Sequence, residues 1–267
     1  MKVKFEHQSF AKRLKSMLAV DFRRMFTMPL LYIMLGTSVV IPILVLVMTT
    51  MMDGTISVNP QTGAETMIEG FKNVWQIIGT VSGEGAMMSM DITSMCNINM
   101  MYFMAAVLVC VFVAADFRSG YVKNLFAMRA KKGDYIISKS LVGFVGGALM
   151  ILGFFAGSIL GGVIMGLPFD IGAAGVNGII MCMLAKILLI AVFAPIYLLM
   201  SVIAKEKLWL SLIGSLMIGM LFFMMIPVLT PLDSSMMNVI LCLAGGVLFN
   251  VGFGVISQMI LKKKDIL

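Results

Sequence analysis

The chain has 267 residues, of which 60% are hydrophobic and 12% charged, and its mean hydropathy is +1.03. That is too apolar for a soluble globular domain and reads as an integral membrane protein built from helices of about 20 apolar residues. The formal charge of +7 does not point to nucleic acid, because the basic residues flank apolar runs and no RNA- or DNA-binding pattern is present.

Residues 1–29 read as a cytoplasmic leader, helical over 5–29 and lying on the membrane. Phe10, Leu14, Leu18, Phe22 and Met25 recur at helical spacing, with Lys12, Arg13, Lys15, Arg23 and Arg24 mostly elsewhere around the helix. The long basic stretch and the full-length apolar run after it are unlike a cleavable signal. Pro29 suits a helix restart.

Six spans are expected, at 30–52, 99–115, 137–165, 176–203, 208–229 and 237–261, in a single transmembrane domain covering 1–267. Between the first two lies an extracellular loop, 53–97. In it Met67, Phe71, Trp75 and Ile78 repeat every three or four residues, which predicts a short helix on the outer membrane face anchored by Trp75. "TVSGEGAMMSMDITS" follows, Gly- and Ser-containing and irregular. Met87, Met88, Met90, Met95, Met100, Met101 and Met104 cluster near the start of the second span. Thioethers can bind Cu(I), but neither His nor paired Cys supports a metal site, and adaptable apolar filler is the reading we adopt.

Residues 116–136 form a polar, basic interruption between the second and third spans. Phe117, Tyr121, Leu125 and Met128 make one helical stripe among Arg118, Lys123, Arg129, Lys131 and Lys132, and Gly133 is a candidate C-cap. Three helical turns exceed what a topology signal needs. In the third span Gly143 and Gly147, then Gly153, Gly157 and Gly161, sit four apart and predict close helix packing. Gly245, Gly246, Gly252 and Gly254 beside Asn250 form a looser set in the sixth span. The fourth span carries Lys186, which either snorkels to the outer headgroups or lines a wet cavity as a pathway residue. Pro195 should kink the same helix.

Orientation follows from charge. Eighteen of the 20 Lys and Arg fall on one side of the six-span arrangement, and only Lys72 on the other, so both termini are expected in the cytoplasm. Catalysis by this chain is not expected: there is no GxxxxGK[ST], no HExxH, and the single histidine, His7, lies in the leader. All thirteen carboxylates lie outside the spans or at their ends, which argues against an ion-coupled carrier. The cysteines, Cys96, Cys110, Cys182 and Cys242, have neither zinc spacing nor a CxxC, and no disulfide is expected.

The interruption, taken with the topology, resembles the permease subunit of type-2 ABC transporters, of the small six-span bacterial kind that serves antibiotic, lantibiotic and lipid export or self-protection. The resemblance covers essentially the whole chain. It rests most on Asp116, Gly120, Lys123, the segment Asn124–Met128, Arg129, Tyr135 and Lys139. Two departures stand out: Asp116 occupies a position where the family often has Glu, and "RAKKGD" replaces a segment that often contains Pro. The resemblance implies that the stretch is a cytoplasmic coupling helix docking on a separate ATP-binding subunit. Asp116, Arg118, Gly120, Lys123, Asn124, Leu125, Phe126, Arg129, Tyr135 and Lys139 would be its coupling residues. It further implies two copies of that ATP-binding subunit, which binds ATP and Mg, no cofactor on this chain, and a homodimer or a heterodimer with another permease in the bacterial cytoplasmic membrane. The alternative is a non-transporting sensor or immunity scaffold that binds a peptide through its outer loop.

Overall fold

Pro29 divides the N-terminal region into two helices. Helix α1, Phe10–Thr27, ends at Met28, whose backbone is extended, and α2, Pro29–Met51, begins with the proline at its first position, where no amide hydrogen is needed. The computed structural model describes residues 9–58, 65–67, 70–79, 97–128, 130–172, 175–223 and 225–263. The chain continues through α3 (Met100–Arg118), α4 (Tyr121–Ala127), α5 (Lys132–Met165), α6 (Gly175–Ala204), α7 (Leu208–Phe223), α8 (Met225–Leu229) and α9 (Met236–Lys263). Five of these helices, α2, α3, α5, α6 and α9, are long and apolar enough to cross a membrane, as in an α-helical multi-pass membrane protein.

Over the expected fifth span, 208–229, the described residues 208–223 and 225–229 are helical, and residue 224 lies outside them. The third span starts earlier than expected: α5 runs unbroken from Lys132, so Gly133 lies inside its first turn and caps nothing.

Helices α3 and α6 are central, with 67% and 72% of their apolar windows buried, whereas α9 is peripheral at 11%. Glycines set the closest approaches. A Cβ at Gly157 would collide with the Val39 carbonyl and lie 2.7 Å from Pro42 Cγ, and one at Gly161 would lie 3.0 Å from Ile43 Cα. Gly153 meets Ser38 of the same helix, so this part of the stripe seats α2 on α5. Gly143 and Gly147 serve other neighbours, Val109 of α3 at 2.9 Å and Ile190 of α6 at 2.7 Å. Outward-facing Tyr32, Val40, Leu44, Trp209, Met217, Leu221, Val247 and Val251 give the bundle an apolar exterior.

The acidic end of the bundle differs from the expected short helix. Strand β1 (Ile56–Val58) pairs antiparallel with β2 (Glu65–Met67), which puts Met67 in a ribbon. The helical part is one 3-10 turn, Val74–Ile77, capped by the Asn73 side chain accepting from the Trp75 amide at 3.0 Å. Trp75 anchors to protein: its ring meets Phe169 edge-on, and its Nε1 donates to the Phe169 carbonyl at 3.4 Å. The Val74 amide donates to Pro168 at 3.3 Å, and Asn73 Nδ2 donates to the Asp170 carbonyl. The stretch at 80–96, with Met87, Met88, Met90, Met95 and Cys96, lies outside the described residues, as does His7.

Candidate functional site: an ionic cluster beneath a short exposed helix

Gly120 makes the turn that creates the site. Its φ of +71° ends α3 and opens α4, a conformation strained for any residue with a side chain. Its amide donates to Phe117 at 3.2 Å, and its carbonyl accepts from Asn124 at 3.0 Å. Helix α4 therefore has 7 residues, two turns rather than the three expected, and the extended backbone of Lys131 separates it from α5. The predicted stripe breaks up accordingly: Phe117 belongs to α3, and Met128 lies beyond α4 and is 76% exposed.

Beneath this elbow three helices bring four charges together. Lys139 of α5 is sealed from solvent and donates from Nζ to Asp21 Oδ1 of α1 at 2.8 Å, and it pairs with Asp116 Oδ2 of α3 at 2.6 Å. Arg24 of α1 reaches Asp116 Oδ1 at 2.6 Å. Tyr135 donates to Asp116 Oδ2 at 3.1 Å, and Ser138 donates to Asp21 Oδ2 at 2.6 Å. Aromatic faces complete the enclosure: Lys139 Nζ lies 4.0 Å from the Phe112 centroid, and the Arg24 guanidinium lies 4.3 Å from that of Tyr121. Two cations balance two carboxylates, which is how buried charge is tolerated. Burial works against the charge on Arg24, but Asp116 and then Asp21 outweigh it and raise its pKa above the ordinary value. The Tyr121 phenol is also raised, by burial first and then by Asp21 and Asp116. Arg13 extends the seam, donating to Asp134 at 3.0 Å.

The predicted coupling residues thus divide. Asp116, Tyr135 and Lys139 converge in the cluster. Lys123 and Asn124 are exposed on α4, while Leu125 and Phe126 are half-buried against the bundle, Phe126 meeting Tyr135 edge-on. Arg118 is exposed and donates to the Glu206 carbonyl in the α6–α7 connection at 3.1 Å. Arg129 lies outside the described residues. Asp21 and Arg24 were not expected in the site. Asp21 is the single acidic residue of α1, and that isolation among bases was the available signal.

Lys186, the pathway candidate, is buried at 1% exposure. Its Nζ donates to Thr230 Oγ1 at 3.0 Å and to Asn99 Oδ1 at 3.4 Å, and its own carbonyl accepts from Tyr102 at 2.9 Å. It knots α6 to the start of α3 and the end of α8. Among the described residues no three His, Cys, Asp or Glu side chains gather as a metal site, and Cys110, Cys182 and Cys242 are buried free thiols.

No protein-family model matches the chain, and neither a curated protein nor a solved structure matches it.

Proposed function

We propose that the chain is the membrane-spanning permease of an ATP-driven ABC exporter, moving an amphiphilic or hydrophobic cargo outward. In this reading it crosses a bacterial cytoplasmic membrane six times with both termini inside, pairs with a second permease, and borrows its motor from two copies of a separate ATP-binding subunit. The observation that carries the reading is the joint under α4. Asp116, Tyr135 and Lys139, three residues of the resemblance, meet in one buried cluster, while Lys123, Asn124 and Met128 of the same elbow stay exposed.

A two-turn helix can transmit an external push only if its footing is stiff. The cluster binds α1, α3 and α5 together below α4, so displacing α4 displaces all three. The ATP-binding subunits would grip one arrangement of these helices more tightly, and that difference in affinity shifts the population. ATP and Mg belong to the partner, and this chain contributes the conduit.

The test is co-expression with an ATP-binding subunit from the same genome, purification, and reconstitution into liposomes. Cargo-stimulated ATP hydrolysis with outward movement of an amphiphile is the expected result. Flux driven by an ion gradient without ATP would assign the chain to carriers, and peptide binding by the outer loop without transport would assign it to sensors.

A further inference from the structure

A groove of about 520 Å³ lies between α5, α6 and α9 and is absent from the site above. Its rim is apolar and faces outward: Ile137, Leu141, Leu243, Val247, Val251 and Val255 are each 40% to 63% exposed. At the end nearest the start of α5 the lining turns polar, with Ser257 and Gln258 beside Gly133. Ser257 is fully buried, and its Oγ has no hydrogen-bond partner among the described residues, an anomaly for a hydroxyl in a closed site. Just beyond that end the start of α5 and the end of α9 carry lysines. Lys132 donates to the Leu261 carbonyl at 2.6 Å, Lys131 precedes it and is exposed, and Lys262 follows Leu261 and is exposed.

We propose that this groove holds one acyl chain of an anionic phospholipid of the basic-end leaflet, with its phosphate among Lys131, Lys132 and Lys262 and its ester region against Ser257 and Gln258. Charge decides the occupant. A wholly apolar tenant would not use the lysines, and a second copy of this chain would bring its own basic end against them. A bilayer supplies apolar chains at the rim's depth and anionic headgroups at the lysines' depth. The site requires that the basic end face the headgroups, and it does not depend on an ATPase or a cargo, so it stands or falls separately from the transport reading.

The experiment reconstitutes the full chain alone into phosphatidylcholine vesicles doped with either phosphatidylglycerol or phosphatidylcholine carrying a photoreactive group in the acyl chain. Labelled residues are then mapped by mass spectrometry. Labelling is expected to concentrate on 136–141 and 247–258, and to favour phosphatidylglycerol by about five-fold for each lysine engaged. Lys131→Glu with Lys262→Glu should abolish that preference, and Val251→Trp, which fills the groove from its exposed rim, should remove labelling by both lipids. Val247→Trp serves the same purpose if the first variant aggregates. Labelling spread evenly over the exposed faces of α2 and α7, equal labelling by the two lipids, or crosslinks between copies through 247–258 would each overturn the proposal.

Discussion

Lys139 and Asp116 lie on different helices, 23 positions apart, yet their charged atoms meet at 2.6 Å with neither side chain open to solvent. Removing one member leaves its partner's charge buried. Lys139→Met should therefore cost about 3–5 kcal/mol, because Asp21 and Asp116 would then share Arg24 alone. Replacing both, Lys139→Met with Asp116→Leu, should cost less than Lys139→Met alone, since Arg24 keeps Asp21 nearby. Thermal unfolding of the purified protein in detergent measures both, and a double variant worse than the single would contradict the cluster.

Gly157 of α5 and Gly252 of α9 are not equivalent. Gly157→Ala should lose about 1–3 kcal/mol, because its Cβ meets backbone of α2 that cannot swing aside. At Gly252 a Cβ meets nothing within 4 Å, so Gly252→Ala should gain up to about 1 kcal/mol from the helix backbone alone. Melting temperatures that move together would count against this assignment of contacts.

Pro195 and Asn250 should be coupled. Pro195 cannot donate to the Ala191 carbonyl, and Asn250 Nδ2 does so instead, at 2.7 Å. Asn250→Ala should cost about 1 kcal/mol, and markedly less in a Pro195→Ala background, where the restored amide satisfies Ala191. A double-mutant cycle gives the answer directly, and additive losses would show that the two residues act independently.

The exposed surface of the elbow defines the docking test more sharply than the sequence did. Leu125 and Phe126 face the bundle, so Asp at either position would disturb packing before it disturbed any partner. Lys123→Glu touches only the exposed face. It should leave the melting temperature unchanged and weaken recovery of an ATP-binding subunit in pull-downs by roughly ten-fold. Normal recovery would argue for lipid anchoring by α4.

Lys186→Met separates pathway from scaffold. Lys186 Nζ bonds to the neutral oxygens of Thr230 and Asn99, so Lys186→Met removes a costly buried charge rather than half of a hydrogen-bonded ion pair such as Lys139–Asp116, and Thr230 keeps its bond to the Ile226 carbonyl at 2.8 Å. The melting temperature should hold or rise. If export then fails in vesicles while ATP hydrolysis continues, Lys186 contributes to transport itself; a collapsed melting temperature would contradict the neutral-swap reading.

Much of the helical layout was legible because hydrocarbon imposes length. Apolar runs near 20 residues declare themselves, and Pro29 marked its boundary to the residue. Local backbone events were less visible. Lys131 rather than Gly133 separates α4 from α5, and whether "AETMIEGFKNVWQIIG" forms ribbon or helix depends on Asp53 accepting from Gly70 at 2.8 Å and on the loop containing Phe169. Asp116, Tyr135 and Lys139 were singled out in the sequence, and they lie together in the cluster. Their mutual contact did not show, because Asp21 and Lys139 are 118 positions apart and their pairing is a product of tertiary packing.

Helix α5 has 34 residues and so extends about 51 Å, well past a hydrocarbon layer of roughly 30 Å. One end is bolted to α1 and α3 by Lys139; just beyond the other, Pro168, Phe169 and Asp170 cradle the turn at Trp75. It is a single push-rod with a fitting at each end. A tilt imposed at the elbow would swing the far surface through an arc, so the turn around Trp75 is geared to any displacement of α1 and α3 at the other end.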